Sequence, residues 1–270
     1  EEKTTMSIAF AIILVTIVGI LGAVILVLAA KYMHVEEDPR VAEITACLPG
    51  ANCGGCGYAG CADYAKAVVE SGAPVNKCAV GGAACAAQIA AVMGVEAGAS
   101  VKTWAVVACQ GEEGVCKSKF EYQGMSSCAA AAQLFGGPSA CAFGCIGLGD
   151  CVKACQFGAI EVVNGKARVN ADKCVGCGAC KAACPKKIIW MHSEPKKPVV
   201  MCANHELGAK VIKECTAGCI ACRLCEKNCP EEAIKVVGNV ARIDYAKCTG
   251  CGTCIEKCPK KVIKMPADIH

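Results

Sequence analysis

Cysteine spacing constrains this chain more than any other feature of its sequence. Of its 270 residues 27 are cysteine, and most of these lie in short runs with two to four residues between neighbours. Such close neighbours cannot be bridged without strain, because a disulfide needs Cα atoms roughly 5.5–6 Å apart and side chains that face each other. Runs of this kind are typical of metal-binding sites. The pattern therefore predicts that thiolates of this chain bind metal.

The rest of the sequence offers little material for a conventional core. Aromatic residues make up 4% of the chain. Metal binding by a site that is absent from the unfolded chain adds its free energy to that of folding. We therefore predict the α+β fold class, built of small domains that are stabilised by their metal centres.

One apolar segment predicts a membrane anchor over residues 1–35. Residues 7–30 hold no charge, and these 24 residues are long enough to span a membrane as a helix. A cleaved signal peptide is the alternative, which the length of the run disfavours. Lys31 and Arg40 follow the segment, and flanking basic residues favour the cytoplasmic side. We expect a single-pass protein in the lipid of the cell inner membrane, with its metal centres in the cytoplasm.

An internal repeat carries the strongest signal. Two stretches 74 residues apart align without a gap, and each contains C-x2-C-x2-C-x3-C-P. In bacterial ferredoxins three cysteines of this run bind one [4Fe–4S] cluster and the fourth binds its neighbour. Residues 159–170 and 233–244 alternate apolar and polar side chains around Asn-Gly and Gly-Asn, which predicts two β-hairpins. We predict two tandem two-cluster ferredoxin-like modules, module 1 over 141–194 and module 2 over 199–270.

Exchange of the fourth cysteine between the runs predicts three complete ligand sets. One set lies in module 1 and two lie in module 2. They are Cys155, Cys174, Cys177 and Cys180; Cys219, Cys222, Cys225 and Cys258; and Cys229, Cys248, Cys251 and Cys254.

The other site of module 1 is one ligand short. Leu148 stands where the repeat has Cys222. The ligands that remain are Cys145, Cys151 and Cys184. We assign the nearest cysteine, Cys141, as the fourth ligand, and a three-iron cluster is the alternative.

Further cysteines also recur at the 74-residue offset. They are Cys128, Cys141, Cys202 and Cys215. If these four form a site of their own, Cys109 or Cys116 would complete module 1 instead. Packing as small apolar residues is the alternative, and it is favoured for Cys47 and Cys85. The chain is thus predicted to bind at least five [4Fe–4S] clusters, and six if the extra site exists.

Another four-cysteine set follows the apolar segment. It comprises Cys53, Cys56, Cys61 and Cys78. The residues after Cys61 favour a helix, whose first N–H groups stabilise a thiolate. Structural zinc also suits four cysteines, but the glycine-rich loop and the ferredoxin runs favour an iron–sulfur cluster. We predict a single-cluster domain over 36–100 and a connector over 101–140.

The loop at residues 48–61, LPGANCGGCGYAGC, resembles a known domain when taken with the return at Cys78. This domain occurs in the B subunits of Rnf complexes and in corrinoid iron–sulfur proteins. The order of apolar helix, single-cluster domain and ferredoxin modules resembles the Rnf B subunit over essentially the whole chain. The resemblance implies a membrane complex that oxidises reduced ferredoxin, reduces NAD and exports sodium ions or protons. Soluble ferredoxin would be the donor, and the other membrane and peripheral subunits would be partners.

Other function classes are less well supported. The chain has no P-loop, nucleophile elbow or H-E-x-x-H motif, so hydride transfer is expected on another subunit. Each cluster with its thiolates carries about −2 charge, which makes the loaded protein anionic and argues against nucleic-acid binding. A subunit of another membrane oxidoreductase, such as a hydrogenase or dehydrogenase, and a structural zinc protein remain the rival interpretations.

Two sets of polar side chains complete the predictions. The histidines lack metal-ligand spacing and are predicted at the surface: His34, His192, His205 and His270. Lysines crowd both modules, where they either dock an acidic ferredoxin or balance the anionic clusters. They are Lys181, Lys186, Lys187, Lys196, Lys197, Lys257, Lys260, Lys261 and Lys264.

Overall fold

The computed structural model describes residues 2–32, 38–99 and 101–269, so His34 and His270 lie outside the described residues. Helix α1 (Glu2–Tyr32) contains the stretch Ile12–Ala29, whose mean hydropathy of 3.1 and length are sufficient to cross a membrane. Thr16 is the polar side chain in this stretch, and its hydroxyl donates to the carbonyl oxygens of Ile12 and Ile13. Its hydroxyl is therefore satisfied within the helix, as an apolar solvent requires.

A small helical domain follows α1. Its helices are α2 (Pro39–Cys47), α3 (Cys61–Ser71) and α4 (Gly82–Met93). Ile44, Tyr64 and Ile89 are fully buried between them. The Tyr64 hydroxyl donates to the Pro74 carbonyl oxygen at 2.7 Å, which fixes the chain that leaves α3. The predicted single-cluster domain thus has a core of its own, and its cysteine loop lies between α2 and α3.

Each module consists of a β-hairpin, a second pair of strands and two short helices, and all described strand pairs are antiparallel. The strands are β1 (Trp104–Val107), β2 (Ile160–Val163), β3 (Lys166–Val169), β4 (Ile189–His192), β5 (Val199–Val200), β6 (Ile234–Val237), β7 (Val240–Ile243) and β8 (Ile263–Lys264). The helices are α5 (Cys128–Gln133), α6 (Asp150–Lys153), α7 (Ala179–Ala183), α8 (Gly208–Glu214), α9 (Leu224–Lys227) and α10 (Thr253–Glu256), and a 3-10 turn spans Pro266–Asp268. Strands β2–β3 and β6–β7 confirm the two predicted hairpins.

The segment predicted as a connector contributes a strand to module 1. Strand β1 pairs with β4 so that Val107 faces Ile189, and β5 pairs with β8 so that Val200 faces Ile263. Ile189 and Ile263 are equivalent in the 74-residue repeat. Module 1 therefore begins at β1, and residues between β1 and the first cysteine loop form an insertion.

Cysteines make up part of the core in both modules. Buried aliphatic side chains such as Val106, Ile189 and Val240 pack against buried cysteines. All cysteines lie among the described residues, and none is in a disulfide. This is the arrangement that metal-binding thiolates require.

Candidate iron–sulfur centres

The proximal site lies in the loop between α2 and α3. The predicted set comes together here: Cys53, Cys56, Cys61 and Cys78. Cys61 begins α3, and its backbone N–H donates to Asn52 Oδ1 at 2.8 Å. The N–H of Gly81 points at the Cys78 sulfur from 3.3 Å. Cys47 and Cys85 lie behind the site, where the Cys85 thiol donates to the Cys47 carbonyl oxygen at 3.2 Å.

The four cysteine loops of the modules share one backbone conformation. The residues two and four positions after the first cysteine have positive φ in every loop. They are Gly147 and Gly149, Gly176 and Gly178, Ala221 and Arg223, and Gly250 and Gly252. Alternation of left-handed residues turns the loop around one centre, and glycine adopts this conformation at least cost. The loop that carries Leu148 instead of cysteine thus keeps the shape of the others.

The three predicted ligand sets of the repeat also come together. In each module, the site nearer the other module is called the inner site and the site farther from it is called the outer site. The outer site of module 1 comprises Cys155, Cys174, Cys177 and Cys180. The inner site of module 2 comprises Cys219, Cys222, Cys225 and Cys258, around a cavity of about 330 Å³. The outer site of module 2 comprises Cys229, Cys248, Cys251 and Cys254, around a cavity of about 340 Å³.

Cys128 takes the place in which Cys141 was expected. The inner site of module 1 is a cavity of about 340 Å³ lined by Cys128, Cys145, Cys151 and Cys184. Cys141 was assigned because it is nearest along the chain, but the structure places it in a different cavity. The insertion after β1 folds back and brings the start of α5 to the position that Leu148 leaves without a thiol.

Asp150 holds Cys128 beside the loop. Its Oδ2 accepts hydrogen bonds from the Ser127 hydroxyl at 3.0 Å and the Ala129 N–H at 2.9 Å, the residues on either side of Cys128. Burial raises the pKa of Asp150, but the hydrogen bonds from Ala129 and Ser127 outweigh it, and the net pKa is lowered. Since Asp150 directly precedes Cys151, one carboxylate joins two ligands of the same site.

Backbone N–H groups also point at sulfurs of the outer sites. Ala159 donates to Cys155 at 3.4 Å and Ala233 donates to Cys229 at 3.3 Å, at equivalent positions of the repeat. Donors of this kind stabilise a cluster and tune its potential. The thiol chemistry is suited to the same purpose: burial raises the pKa of Cys151 to about 12, so metal binding there releases a proton.

At three of the five sites the four cysteines surround a cavity of about 330–340 Å³. Within the described ranges, no three His, Cys, Asp or Glu side chains are placed to hold one metal ion. A cubane distributes its thiolates over four irons, so its ligands stand around a volume. The donor set, the amide donors and the cavities therefore fit [4Fe–4S] clusters.

A further cavity, the bridging cavity, lies between the modules and encloses about 390 Å³. Its cysteines are Cys109, Cys116, Cys141, Cys202 and Cys215. The sequence alignment grouped Cys128 with Cys141, Cys202 and Cys215, but the structure replaces Cys128 here with Cys109 and Cys116. The signal that sequence reasoning missed is the strand before Cys109, which corresponds to the strand before Cys202.

The sites form a row. At one end, Gly55 of the proximal loop abuts module 1, since a Cβ at this position would lie 2.7 Å from the Cys177 carbonyl oxygen. Cys177 also interacts electrostatically with Cys53. Within module 1, Cys151 of the inner site interacts with Cys180 of the outer site.

The row continues through the bridging cavity into module 2. The N–H of Cys145 donates to the Cys109 sulfur, and the N–H of Cys219 donates to the Cys202 sulfur. A ligand of each inner site thus touches the cavity. Cys254 of the outer site of module 2 interacts with Cys225 of the inner site.

The prediction that histidines lie at the surface is wrong for His192. This side chain is buried between the rings of Trp104 and Tyr245, and its Nε2 lies 2.8 Å from the Glu194 carbonyl oxygen. Burial lowers the pKa of His192, which keeps the ring neutral within the apolar contact. His205 is exposed, as predicted.

Some of the lysines have structural roles. Lys186, Lys197 and Lys260 donate to the carbonyl oxygens of Ala142, Tyr245 and Thr216. Other lysines stand exposed on the surface. They are Lys181, Lys187, Lys196, Lys257 and Lys261.

Known families match the chain in the regions of these sites. The family described as "Putative Fe-S cluster" matches residues 48–80. A family described as "4Fe-4S dicluster domain" matches residues 143–188 and 218–262, and another with the same description matches 173–234. These matches favour iron over zinc.

Three curated relatives match most of the chain, and each is the B subunit of a complex. That of the ion-translocating oxidoreductase complex of Methanosarcina acetivorans is 43% identical over 230 residues, which cover 85% of this chain and 87% of the relative. That of the Na(+)-translocating ferredoxin:NAD(+) oxidoreductase complex of Acetobacterium woodii is 43% identical over 237 residues, 86% of this chain and 71% of the relative. That of the proton-translocating ferredoxin:NAD(+) oxidoreductase complex of Clostridium ljungdahlii is 40% identical over 235 residues, 86% of this chain and 83% of the relative.

The apolar helix, the ferredoxin-like modules and the cysteine sites define the class: a membrane-associated electron carrier with several [4Fe–4S] clusters. The identity over most of the chain then shows the family. This chain belongs to the B subunits of the ion-translocating oxidoreductase complexes, the Rnf complexes. Membership replaces the alternative of a hydrogenase or dehydrogenase subunit.

Proposed function

We propose that this chain relays electrons from reduced ferredoxin to partner subunits of an ion-translocating ferredoxin:NAD oxidoreductase. The observation that carries the proposal is the row of cysteine sites. Ligands of neighbouring sites lie close enough to interact electrostatically, and a ligand of each inner site donates to a sulfur of the bridging cavity. A [4Fe–4S] cluster supplies exchange of single electrons without transfer of atoms. The complex names of two relatives specify sodium ions in one case and protons in the other.

We assign five clusters to the sites that the structure brings together. The proximal site holds one, and each module holds two at its inner and outer sites. In module 1 the inner cluster takes Cys128 as its fourth ligand in place of Cys141. Because thiolates survive in reducing compartments, we place the sites on the cytoplasmic face of the inner membrane.

Electrons are proposed to enter at module 2. Cys222 and Cys251 are the exposed members of its two sites, which brings both clusters close to a docked donor. Lys257 and Lys261 are exposed, flank the ligand Cys258 along the chain and are not among the lysines that hold carbonyl oxygens. An acidic ferredoxin would be attracted to this surface, and charge complementarity acts mainly on the association rate.

Electrons are proposed to leave from the proximal site. This site follows α1 along the chain with only α2 between them, and it contacts module 1 at Gly55 and Cys177. A partner in the membrane is therefore nearest to this end of the row.

Stopped-flow mixing tests the entry point. Chemically reduced ferredoxin is mixed anaerobically with the oxidised full-length chain in detergent, and bleaching of the iron–sulfur absorbance is followed. We expect Lys257→Glu/Lys261→Glu to slow the second-order phase about 10-fold or more at low salt, and high salt to remove most of the difference. Lys181→Glu, on module 1, is the matched control. If reduced ferredoxin leaves the wild-type absorbance unchanged, the donor assignment fails.

A further inference from the structure

The bridging cavity has internal symmetry. Cys109 follows β1 and Cys202 follows β5, and the residues before them donate equivalent hydrogen bonds, Ala108 to the Ile188 carbonyl and Met201 to the Val262 carbonyl. Ile188 and Val262 are 74 positions apart. Cys109 and Cys202 are thus structural counterparts, although the 74-residue alignment had matched Cys202 with Cys128.

A second pair completes the symmetry. Cys141 and Cys215 both lie four residues before the first cysteine of a loop, and both are followed by glycine at the third position. Module 1 therefore supplies Cys109 and Cys141, and module 2 supplies Cys202 and Cys215. All four are buried to the same degree, with 7–8% of their surface exposed, whereas Cys116 is only half-buried.

Backbone N–H groups point at sulfurs of this set, as they do in the ferredoxin sites. The N–H groups of Gly111 and Cys145 donate to the Cys109 sulfur at 3.3 and 3.4 Å, and that of Cys219 donates to the Cys202 sulfur at 3.3 Å. Cys116 lies beside the Cys215 thiol, but its own thiol donates to the Lys117 carbonyl oxygen at 3.7 Å.

Asn204 adds a side-chain donor in the cavity. Only 2% of its surface is exposed, and its Nδ2 donates to the Cys141 sulfur at 3.2 Å while its Oδ1 accepts from the Glu206 N–H. A buried amide that donates to a thiolate sulfur is a means of tuning a metal centre. Packing alone does not require this polar group in a buried cavity.

We propose that Cys109, Cys141, Cys202 and Cys215 hold a sixth [4Fe–4S] cluster, which joins the inner sites of the two modules. The bridging cavity encloses about 390 Å³, which is at least as much as the 330–340 Å³ of the three cavities that cysteines of the other sites line. Contacts of Cys109 with Cys145 and of Cys202 with Cys219 place it in the row. The presence of a cluster in this cavity is inferred from geometry alone. Its role in carrying electrons between the modules rests on the relay proposed above. Single electrons cross from one inner site to the other here, with no proton or group transferred.

Cluster counting tests the metal site without any assumption about electron transfer. The full-length chain is reconstituted anaerobically, and iron, acid-labile sulfide and the native mass are measured. We expect about 24 iron atoms per chain, against about 20 if only five clusters bind. A native mass that corresponds to five clusters in the wild-type chain overturns the proposal.

Single substitutions identify the ligands. Cys109→Ser and Cys215→Ser are each expected to lose about four iron atoms and four sulfides, and Cys116→Ser, in the same cavity, is the control that retains all six clusters. Loss of a cluster from Cys116→Ser while Cys215→Ser keeps six would overturn the ligand set. Asn204→Leu leaves all four thiols in place: we expect full iron content and one cluster with a more negative reduction potential in EPR-monitored titration. An unchanged set of potentials would contradict the assignment.

Reduction by ferredoxin tests whether the sixth cluster carries electrons from module 2 to module 1. Reduced ferredoxin is expected to reduce all clusters of the wild-type chain but only those of module 2 in Cys109→Ser. Dithionite should still reduce every remaining cluster of the variant. Rapid reduction of module 1 by ferredoxin in Cys109→Ser would overturn the link, whereas failure of ferredoxin to reduce the wild-type chain would count against the donor and leave the cluster count unaffected.

Discussion

Modules 1 and 2 have the same hairpins, strand pairs and loop conformations, but they supply their inner sites in different ways. Module 2 draws on its own repeat, with Cys222 in the loop. Module 1 has Leu148 at that position and obtains its thiol from α5, in an insertion. Cys109 and Cys141 are 32 positions apart, while their counterparts Cys202 and Cys215 are 13 positions apart.

The difference shows that the fourth thiol of a site can come from any segment that reaches the right point in space, and not only from the cysteine loop. A thiol must reach a point in space, and the chain that carries it is free to differ. The backbone of the module 1 loop is unchanged at Gly147 and Gly149, which have the φ values of the other loops. The insertion could therefore supply the missing thiol without rebuilding the loop.

The largest expected effect is the loss and return of a cluster. Cys128→Ala should lose about four iron atoms per chain, because the inner site of module 1 keeps three thiols. Adding Leu148→Cys should restore them, since the loop would regain the spacing of module 2. Iron counting and EPR of the two variants measure this. Cys85→Ala, which removes a buried cysteine that is assigned to no site, is the control; full iron content in Cys128→Ala would show that the placement of Cys128 is wrong.

The next effect concerns the left-handed positions of the inner loops. Gly147→Ala should destabilise the protein by about 2 kcal/mol, because φ is +82° and a side chain there costs about 1–2 kcal/mol in addition to a clash with the Gly165 carbonyl oxygen. The counterpart Ala221 already has φ of 55°, so Ala221→Gly should be neutral or stabilising by up to about 1 kcal/mol. Anaerobic denaturant titration compares them. Equal destabilisation by both substitutions would contradict the shared loop conformation.

A smaller effect is expected at the anchor of Cys128. Asp150→Ala removes the acceptor of two hydrogen bonds and should cost about 1–3 kcal/mol, with faster loss of the inner cluster of module 1 to a chelator. Asp150→Asn retains an oxygen acceptor and should lose less. The rate of iron release to a chromogenic chelator measures both. Identical release from Asp150→Ala and the wild-type chain would show that Cys128 is positioned without the carboxylate.

The smallest effect is expected where the insertion meets the hairpin. Glu112 Oε1 lies 2.9 Å from Lys166 Nζ and 2.8 Å from Arg168 Nη2. The hydrogen bond from Lys166 lowers the pKa of Glu112, so the stabilisation is present above the ordinary glutamate pKa and is lost as the pH falls through the lowered value. Glu112→Gln should cost about 0.2–1 kcal/mol at neutral pH and nothing in acid. Thermal midpoints across pH check this, and a gap that persists below the lowered pKa would refute it.

Much of the architecture followed from local patterns in the sequence. The hairpins at 160–169 and 234–243 were predicted because alternating side chains and a Gly-containing turn specify a two-residue hairpin locally. The apolar run predicted α1, and the resemblance of the loop at 48–61 predicted the family. The three complete ligand sets that the repeat predicted also meet in the structure, because three thiols of each set lie within one short loop.

Other features depended on contacts between distant segments. The pairing of β1 with β4 could not be read from residues 101–140, since four residues of strand carry little signal without their partner. His192 was predicted at the surface because nothing in its sequence neighbourhood reveals Trp104 and Tyr245 on either side. The alignment of Cys128 with Cys202 was a coincidence of spacing. Because residues are inserted after β1, two cysteines of this region that are 74 positions apart need not occupy equivalent places in the two modules.

The sequence by itself determined the iron–sulfur class of this chain, and it predicted two modules and the cysteine runs that serve them, because a ligand run acts over a few residues of backbone. Only the tertiary structure decided which isolated cysteine meets which site. Cys109, Cys128, Cys141, Cys202 and Cys215 occupy their places through strand pairing and the return of an insertion. Those contacts join residues that are far apart along the chain, and the number of residues between two cysteines does not reveal how far apart they lie in space.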